Sequence, residues 1–344
     1  MTGGVVLVTG ASGVVGTAVL RELSGYSVLA GVHRRLPAGT DAMIRLDLSA
    51  PLLGLDPVAY QRLCADVDVI VHSAAIVNFS ADRAEVDLIN IEGLGRVIEL
   101  AAEADALLVH VSTAYVSRYG KAGGGAQRGT DKPAARTDEY VASKYLGEQM
   151  VRDSGIDAVI VRPSVVIGDS RSGEIRQAQA VHTLAEYLIR GQLPFLPAHP
   201  GSYLDLIPQD VVAQGVRAVI DAGLRKGEFW LTAGEAAMPA ERFLELVADE
   251  ATRLGRAVGK GRLADPGIVD RLVRPAFSDV VPKDDLARLD SAVAVCGLVI
   301  ITDLLPTSFG LLPGGPAALS AAQVEQAWRI SLRRLIPSLS PELS

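Results

Sequence analysis

Short apolar runs alternate with longer stretches of helical period along the first two thirds of the chain, and that rhythm predicts a parallel α/β sheet. Val5–Thr9 is an apolar run leading into a glycine-rich turn, and Val14–Leu23 then reads as a helix. Ser27–Val32, Met43–Leu46, Val67–His72, Leu107–Val111 and Ala158–Val161 read as further strands. Between them, Glu85–Ala104 and Asp138–Ser154 carry helical periodicity. Strands apolar throughout, separated by helices of this length, suit a sheet covered on both faces. The expected fold class is α/β: a doubly wound, Rossmann-type parallel sheet with a smaller, mostly helical C-terminal substrate lobe.

After Gly168 the pattern becomes irregular. Gln177–Arg190 is amphipathic, Leu193–Pro200 is punctuated by proline, and Leu204–Ile207 with Asp210–Ile220 resembles a return to the sheet. Gly227–Thr232 reads as another strand, and the remainder looks mostly helical. The expected division is a dinucleotide-binding core at 1–168, a substrate-lobe insertion at 169–200, a return to the core sheet at 201–235 and a C-terminal substrate lobe at 236–344. Arg118–Thr137, rich in Gly, Lys and Arg, is a loop by composition and could overhang a site.

Composition removes several function classes. A net charge of −7 leaves no basic stripe for phosphates, so no nucleic-acid partner is expected. The longest apolar run, Ser291–Leu305, is too short to span a bilayer. No basic n-region or cleavage site opens the chain, and the expectation is a cytoplasmic protein. Cys64 and Cys296 read as buried thiols, and the five histidines (33, 72, 110, 182, 199) show no metal-ligand spacing. No metal is expected.

The chemistry concentrates in three places. Gly10, Gly13 and Gly16, within Gly10-Ala11-Ser12-Gly13-Val14-Val15-Gly16, sit between a strand and a helix. Glycines there let the backbone approach a pyrophosphate, and the helix N-terminus presents free N–H groups to it. The second strand ends in His33-Arg34-Arg35, where an acidic residue would suit a ribose 2′-hydroxyl. Guanidinium groups suit a 2′-phosphate, so NADPH is favoured over NADH. Tyr140 and Lys144, four apart, share a helix face, and a nearby ammonium is expected to lower the phenol pKa. A hydroxyl from Ser112-Thr113 could hold a carbonyl against that phenol.

With these residues placed, the chain resembles the extended branch of the short-chain dehydrogenase/reductase superfamily over roughly residues 5–235. The glycine loop, Asp47-Leu48, Ser73-Ala74-Ala75, Asn90, Ser112-Thr113 and Tyr140/Lys144 arrive in the family's order. The resemblance implies that Asp47 and Leu48 contact adenine, that Ala74 and Ala75 line the cofactor cleft, that Lys144 holds the nicotinamide ribose and that Pro163 borders the nicotinamide. Within that branch, His72–Phe79, Ser112–Val116, Arg162–Ser170, Arg190–Pro197 and Leu204–Pro208 are similar to thioester reductases and fatty acyl-CoA reductases. That similarity makes Thr113 the hydroxyl of a Thr–Tyr–Lys set. It departs at Leu94, where a Thr commonly follows Asn90-x-x-Gly93.

Three readings stay open. The first is a reductase acting on an acyl or carbonyl substrate, its thioester presented by CoA or a separate carrier protein. The second is an NAD-dependent sugar-nucleotide epimerase or dehydratase, and the third a non-catalytic redox sensor. A homodimer is left open. Asn90 is expected to be a structural hydrogen bonder, Tyr145 to pack, and Tyr115 and Tyr119 to line the core or a loop wall. The stripe Gln177, Ala178, Val181, Leu184, Ala185 and Leu188, with Leu193–Pro197, is expected in part to wall an acyl channel ending at Thr113 and Tyr140.

Overall fold

The computed structural model describes residues 4–33, 42–77, 82–119, 133–193, 195–256, 258, 259, 261–269, 271 and 283–339, with backbone alone at 133–136 and 283–285. Seven strands form one sheet: β1 (Val5–Thr9), β2 (Ser27–Val32), β3 (Met43–Arg45), β4 (Val67–His72), β5 (Leu107–Val111), β6 (Ala158–Pro163) and β11 (Lys226–Leu231). Every neighbouring pair is parallel, in the order β11-β6-β5-β4-β1-β2-β3. The order reverses direction at β1, which opens a crevice at the carboxyl ends of β1 and β4.

Strand alternation decides which layer each side chain joins. Val6, Val8, Val69, Val71, Val109 and Val111 pack with α1 (Val14–Glu22) and α7 (Gln209–Asp221) on one face. Leu7, Ile70 and Leu108 pack on the other, with α2 (Pro57–Asp66), α4 (Gly93–Glu103) and α5 (Pro133–Asp153). This second face ends in polar residues: Thr9 lies beside His72, and His72 beside His110. The helix expected at Glu85–Ala104 runs without interruption from Arg83 to Glu103. Within it, α3 (Arg83–Asp87) passes through a π turn at Leu88–Glu92 into α4, an extra residue that no hydrophobic period reveals.

The lobe gathers around a second core. β7 (Val165–Ile167) leaves the main sheet and pairs with β10 (Leu206–Pro208). Helix α6 (Ala180–Ile189), α8 (Ala240–Arg253), and the helices Lys283–Val299 and Ala321–Ser338 bury Leu184, Phe243, Val295 and Trp328 together. The exposed edge of β11 is covered where Ser308 exchanges backbone and hydroxyl hydrogen bonds with Trp230. No helix among the described residues is long and apolar enough to cross a membrane.

The expected acyl-channel stripe is corrected here. α6 begins at Ala180, where Gln179 and His182 cap each other, so Gln177 and Ala178 lie outside it and exposed. Val181, Leu184 and Ala185 are fully buried in the lobe core. Of the stripe, Leu188 borders a cavity of about 230 Å³, shared with Leu193 and Leu244. Ala185→Trp is therefore expected to destabilise the protein by about 1–3 kcal/mol through overpacking, read by urea unfolding. Unchanged stability with a loss confined to long acyl substrates would restore Ala185 to a channel wall.

Candidate active site

The glycine turn forms a close backbone cradle. Gly10 has φ +67°, and a Cβ there would lie 2.6 Å from the Ala74 nitrogen. A Cβ on Gly16 would collide with the Gly10 carbonyl, so α1 can start against the turn only without a side chain at that position. Gly13 is the N-cap of α1, makes no side-chain cap and donates its own N–H to the Gly10 carbonyl at 2.8 Å. Ala11 is buried beneath, with Ser12, Val14 and Val15 half-buried at the helix entrance. A turn without side chains feeding an uncapped helix N-terminus fits a pyrophosphate.

The neighbouring strand ends complete the crevice. His33 follows β2, and its Nε2 lies 3.8 Å from Asp47 Oδ2. The other Asp47 oxygen accepts from the Ser49 N–H at 2.9 Å and hydroxyl at 2.6 Å. Arg96 donates to the Leu48 carbonyl at 2.8 Å. Arg34 and Arg35, expected at this end of the cleft, lie outside the described residues. Ala74 and Ala75 are half-buried in the segment leaving β4, and Pro163 is buried at the end of β6. Asn90, on the π turn, accepts from the Ile76 N–H at 2.8 Å and donates to the Ile76 carbonyl and the Ser143 hydroxyl. It ties the cleft wall to α5, as a structural hydrogen bonder should.

Thr113, Tyr140 and Lys144 come together at the end of β5. Thr113 caps the turn Ala114–Arg118 and shares a hydrogen bond with the Tyr140 phenol. Ser112 Oγ is buried with no partner among the described residues, so the threonine is the hydroxyl engaged with the tyrosine. Lys144 is 7% exposed and donates from Nζ to the Val111 carbonyl at 2.8 Å. The expectation of a lowered phenol pKa is corrected. Burial pushes Tyr140 up to about 12, and the Thr113 hydrogen bond opposes this less strongly. The phenol thus carries its proton at neutral pH. Burial pushes Lys144 down to about 8, with Glu148 pulling the other way. Beneath it, His72 and His110 stack at 5.6 Å, and burial first, then Lys144, keeps both neutral.

The aromatics sort as packing. Tyr115 is buried in the lobe core, while Tyr119 stacks on Tyr145 at 4.3 Å. Beside the turn that Thr113 caps opens a cavity of about 430 Å³, lined among others by Ser117, Arg118, Ala198, His199, Ile300 and Leu305. Sequence reasoning missed Arg162 and Glu148, a buried ion pair joined by two hydrogen bonds of 2.8 and 2.7 Å. An arginine inside the apolar run Ala158–Pro163 was the available signal, since a buried guanidinium demands a carboxylate. Among the described residues, no group of three or more His, Cys, Asp or Glu could hold a metal ion.

A glycine cradle at the sheet's reversal point, with Thr113 at the end of β5 facing Tyr140 and Lys144 on α5, defines a dinucleotide-dependent oxidoreductase. The profile of the NAD-binding family described as male sterility protein matches residues 41–216. A linear gramicidin synthase chain of Brevibacillus parabrevis is 34% identical over 179 residues, which cover 49% of this chain and 3% of that protein. A hybrid PKS-NRPS synthetase of Talaromyces variabilis is 31% identical over 231 residues, 62% of this chain and 6% of the synthetase. The chain thus spans a few per cent of the length of these relatives. The terminal R domain from the myxalamid PKS-NRPS biosynthetic pathway shares the fold, with a TM-score of 0.68 and 22% identity across 98% of this chain and 93% of that one. The chain belongs to the NAD-binding family described as male sterility protein.

Proposed function

We propose that the chain is an NADPH-dependent reductase of a carbonyl or thioester carbon in an acyl-type substrate, with Tyr140 as general acid. The observation that carries this reading is the protonated Tyr140 phenol, hydrogen-bonded to Thr113 one helical turn before the buried Lys144. Gly10–Gly16, Asp47, Leu48, Ala74, Ala75, Lys144 and Pro163 would hold the dinucleotide, with His33, Arg34 and Arg35 around its 2′-phosphate. The chemistry supplied at these residues by a reduced nicotinamide, when bound, would be a hydride for the substrate carbon. Thr113 and Tyr140 would hold the carbonyl oxygen, and Tyr140 would give up its proton as negative charge develops there; a thioester would thereby become a hemithioacetal, whose C–S bond then breaks to release aldehyde and free thiol. The Lys144 ammonium, held at the end of β5 by the Val111 carbonyl, would hold the nicotinamide ribose.

The matched stretches lie within a linear gramicidin synthase and a hybrid PKS-NRPS synthetase, which supports a thioester presented by CoA or a separate carrier protein. The cavity beside Ser117 and Arg118 has the size of a small-molecule site and would take the non-reacting part of that substrate. Residues 1–168 and 201–235 would then serve the cofactor, and 169–200 and 236–344 the substrate.

The test is NADPH consumption against acyl-CoAs, aldehydes and ketones, with the products identified. Activity confined to nucleotide sugars would transfer the site to epimerase chemistry. For the cofactor, neutralising Arg34 and Arg35 together is expected to weaken NADPH by about 1–3 kcal/mol, the worth of charge-assisted bonds, and to leave NADH kinetics nearly unchanged. Equal losses for both cofactors would make the arginines structural, and a wild-type preference for NADH would end the assignment.

A further inference from the structure

Tyr140, Lys144 and Glu148 follow one another at four-residue spacing along a single face of α5. Glu148 has a side chain only 1% exposed. Its carboxylate accepts both prongs of the Arg162 guanidinium and a third bond from Arg152 at 2.8 Å. Arg162 stands one residue before Pro163, lies over the Trp230 ring at 4.8 Å and reaches Glu228 at 2.5 Å. The four charges balance, two carboxylates against two guanidinium groups. They lock α5 to β6 and β11 one turn beyond the lysine.

We infer that Glu148 is a positioning residue for Lys144: its carboxylate, aligned by Arg162, fixes the helix turn that carries the lysine and supplies the negative charge that keeps the ammonium charged in its buried site. The inference rests on the reading that Lys144 serves the reaction. Among the described residues, few titratable groups surround the lysine. Glu148 and Tyr140 face it from α5, His72 from β4 and His110 from β5. Both imidazoles are neutral, the phenol is protonated, and the Val111 carbonyl is the acceptor of the ammonium. Glu148 is therefore the anion in this set, and Arg162 is the cation that competes for it.

That competition predicts opposite signs. Glu148→Gln keeps the shape and removes the anion, so Lys144 should lose its proton at a pH lower by about 1 unit. Arg162→Gln frees the carboxylate from its competitor, so Lys144 should titrate at a higher pH. Glu148→Asp, which keeps the charge, should restore most of the wild-type titration. The readout is the side-chain 13Cε shift of Lys144 across pH in lysine-labelled protein, assigned against Lys144→Met. With six lysines in the chain, the assignment is tractable. The measurement needs no substrate, so an error in the substrate assignment leaves it intact. Each variant also reads alone should the other fail to fold. An unchanged Lys144 titration in a folded E148Q or R162Q, or shifts of the same sign in both, would reduce the pair to a structural staple and overturn the inference.

Discussion

Replacing Tyr140 by phenylalanine is expected to cut turnover by ~10²-fold or more, the usual worth of a general acid, while dinucleotide affinity stays close to wild type. The ring keeps its volume and its place on α5, and the glycine cradle and strand ends that would hold the dinucleotide are untouched. What is lost is one O–H, hydrogen-bonded to Thr113 and loaded with its proton at neutral pH. The wild-type pH profile follows from the same geometry. The proposed reduction would use the protonated phenol, and with its pKa pushed up to about 12 the acid is present throughout the neutral range. The alkaline fall should come instead from Lys144, pushed down to about 8 by burial, so activity declines as pH rises through that value. NADPH consumption at saturating substrate, beside fluorescence titration of cofactor binding, separates the two effects. Wild-type turnover in Y140F would rule out the phenol as the acid.

How much of this was legible beforehand differs from element to element. The main sheet was, because its central strands are largely apolar on both faces and each turn carries its own punctuation; Ser27–Val32 and Val67–His72 match residue for residue. The candidate site was legible where its signals are local. Gly10 stands in a turn between strand and helix, and Tyr140 and Lys144 are one helical turn apart; the structure brings that pair to Thr113. What depends on through-space environment was not. The Tyr140 pKa was expected to fall because Lys144 is one turn away, yet the lysine donates to Val111 and burial dominates the phenol. The stripe on α6 has the same period whether it faces a ligand or a core, and here the second core claims it. The π turn that turns Asn90 inward adds one residue to a helical period and leaves no trace in a hydrophobic pattern.

Gly10→Ala is the second large effect, and it acts on the cofactor rather than the proton. Two separate costs meet at this position. A φ of +67° strains any residue with a side chain, by about 1–3 kcal/mol. The new methyl would also stand 2.6 Å from the Ala74 nitrogen and 2.7 Å from its Cα, so the glycine turn and the segment after β4 must part. Those two backbones are the facing walls of the crevice, and widening it draws the α1 N-terminus out of reach of an anion. Dinucleotide affinity is expected to fall by about tenfold or more, since each 1.4 kcal/mol lost is a factor of ten. Stability should fall in parallel. Gly25 provides the control. It too has positive φ, at +106°, but among the described residues nothing lies within 4 Å of a Cβ placed there. Gly25→Ala should therefore lose stability by strain alone and bind the cofactor as before. Urea unfolding and cofactor titration on the two variants separate strain from contact. Should G10A bind as tightly as G25A, the close approach of Gly10 to Ala74 would have no part in holding the dinucleotide.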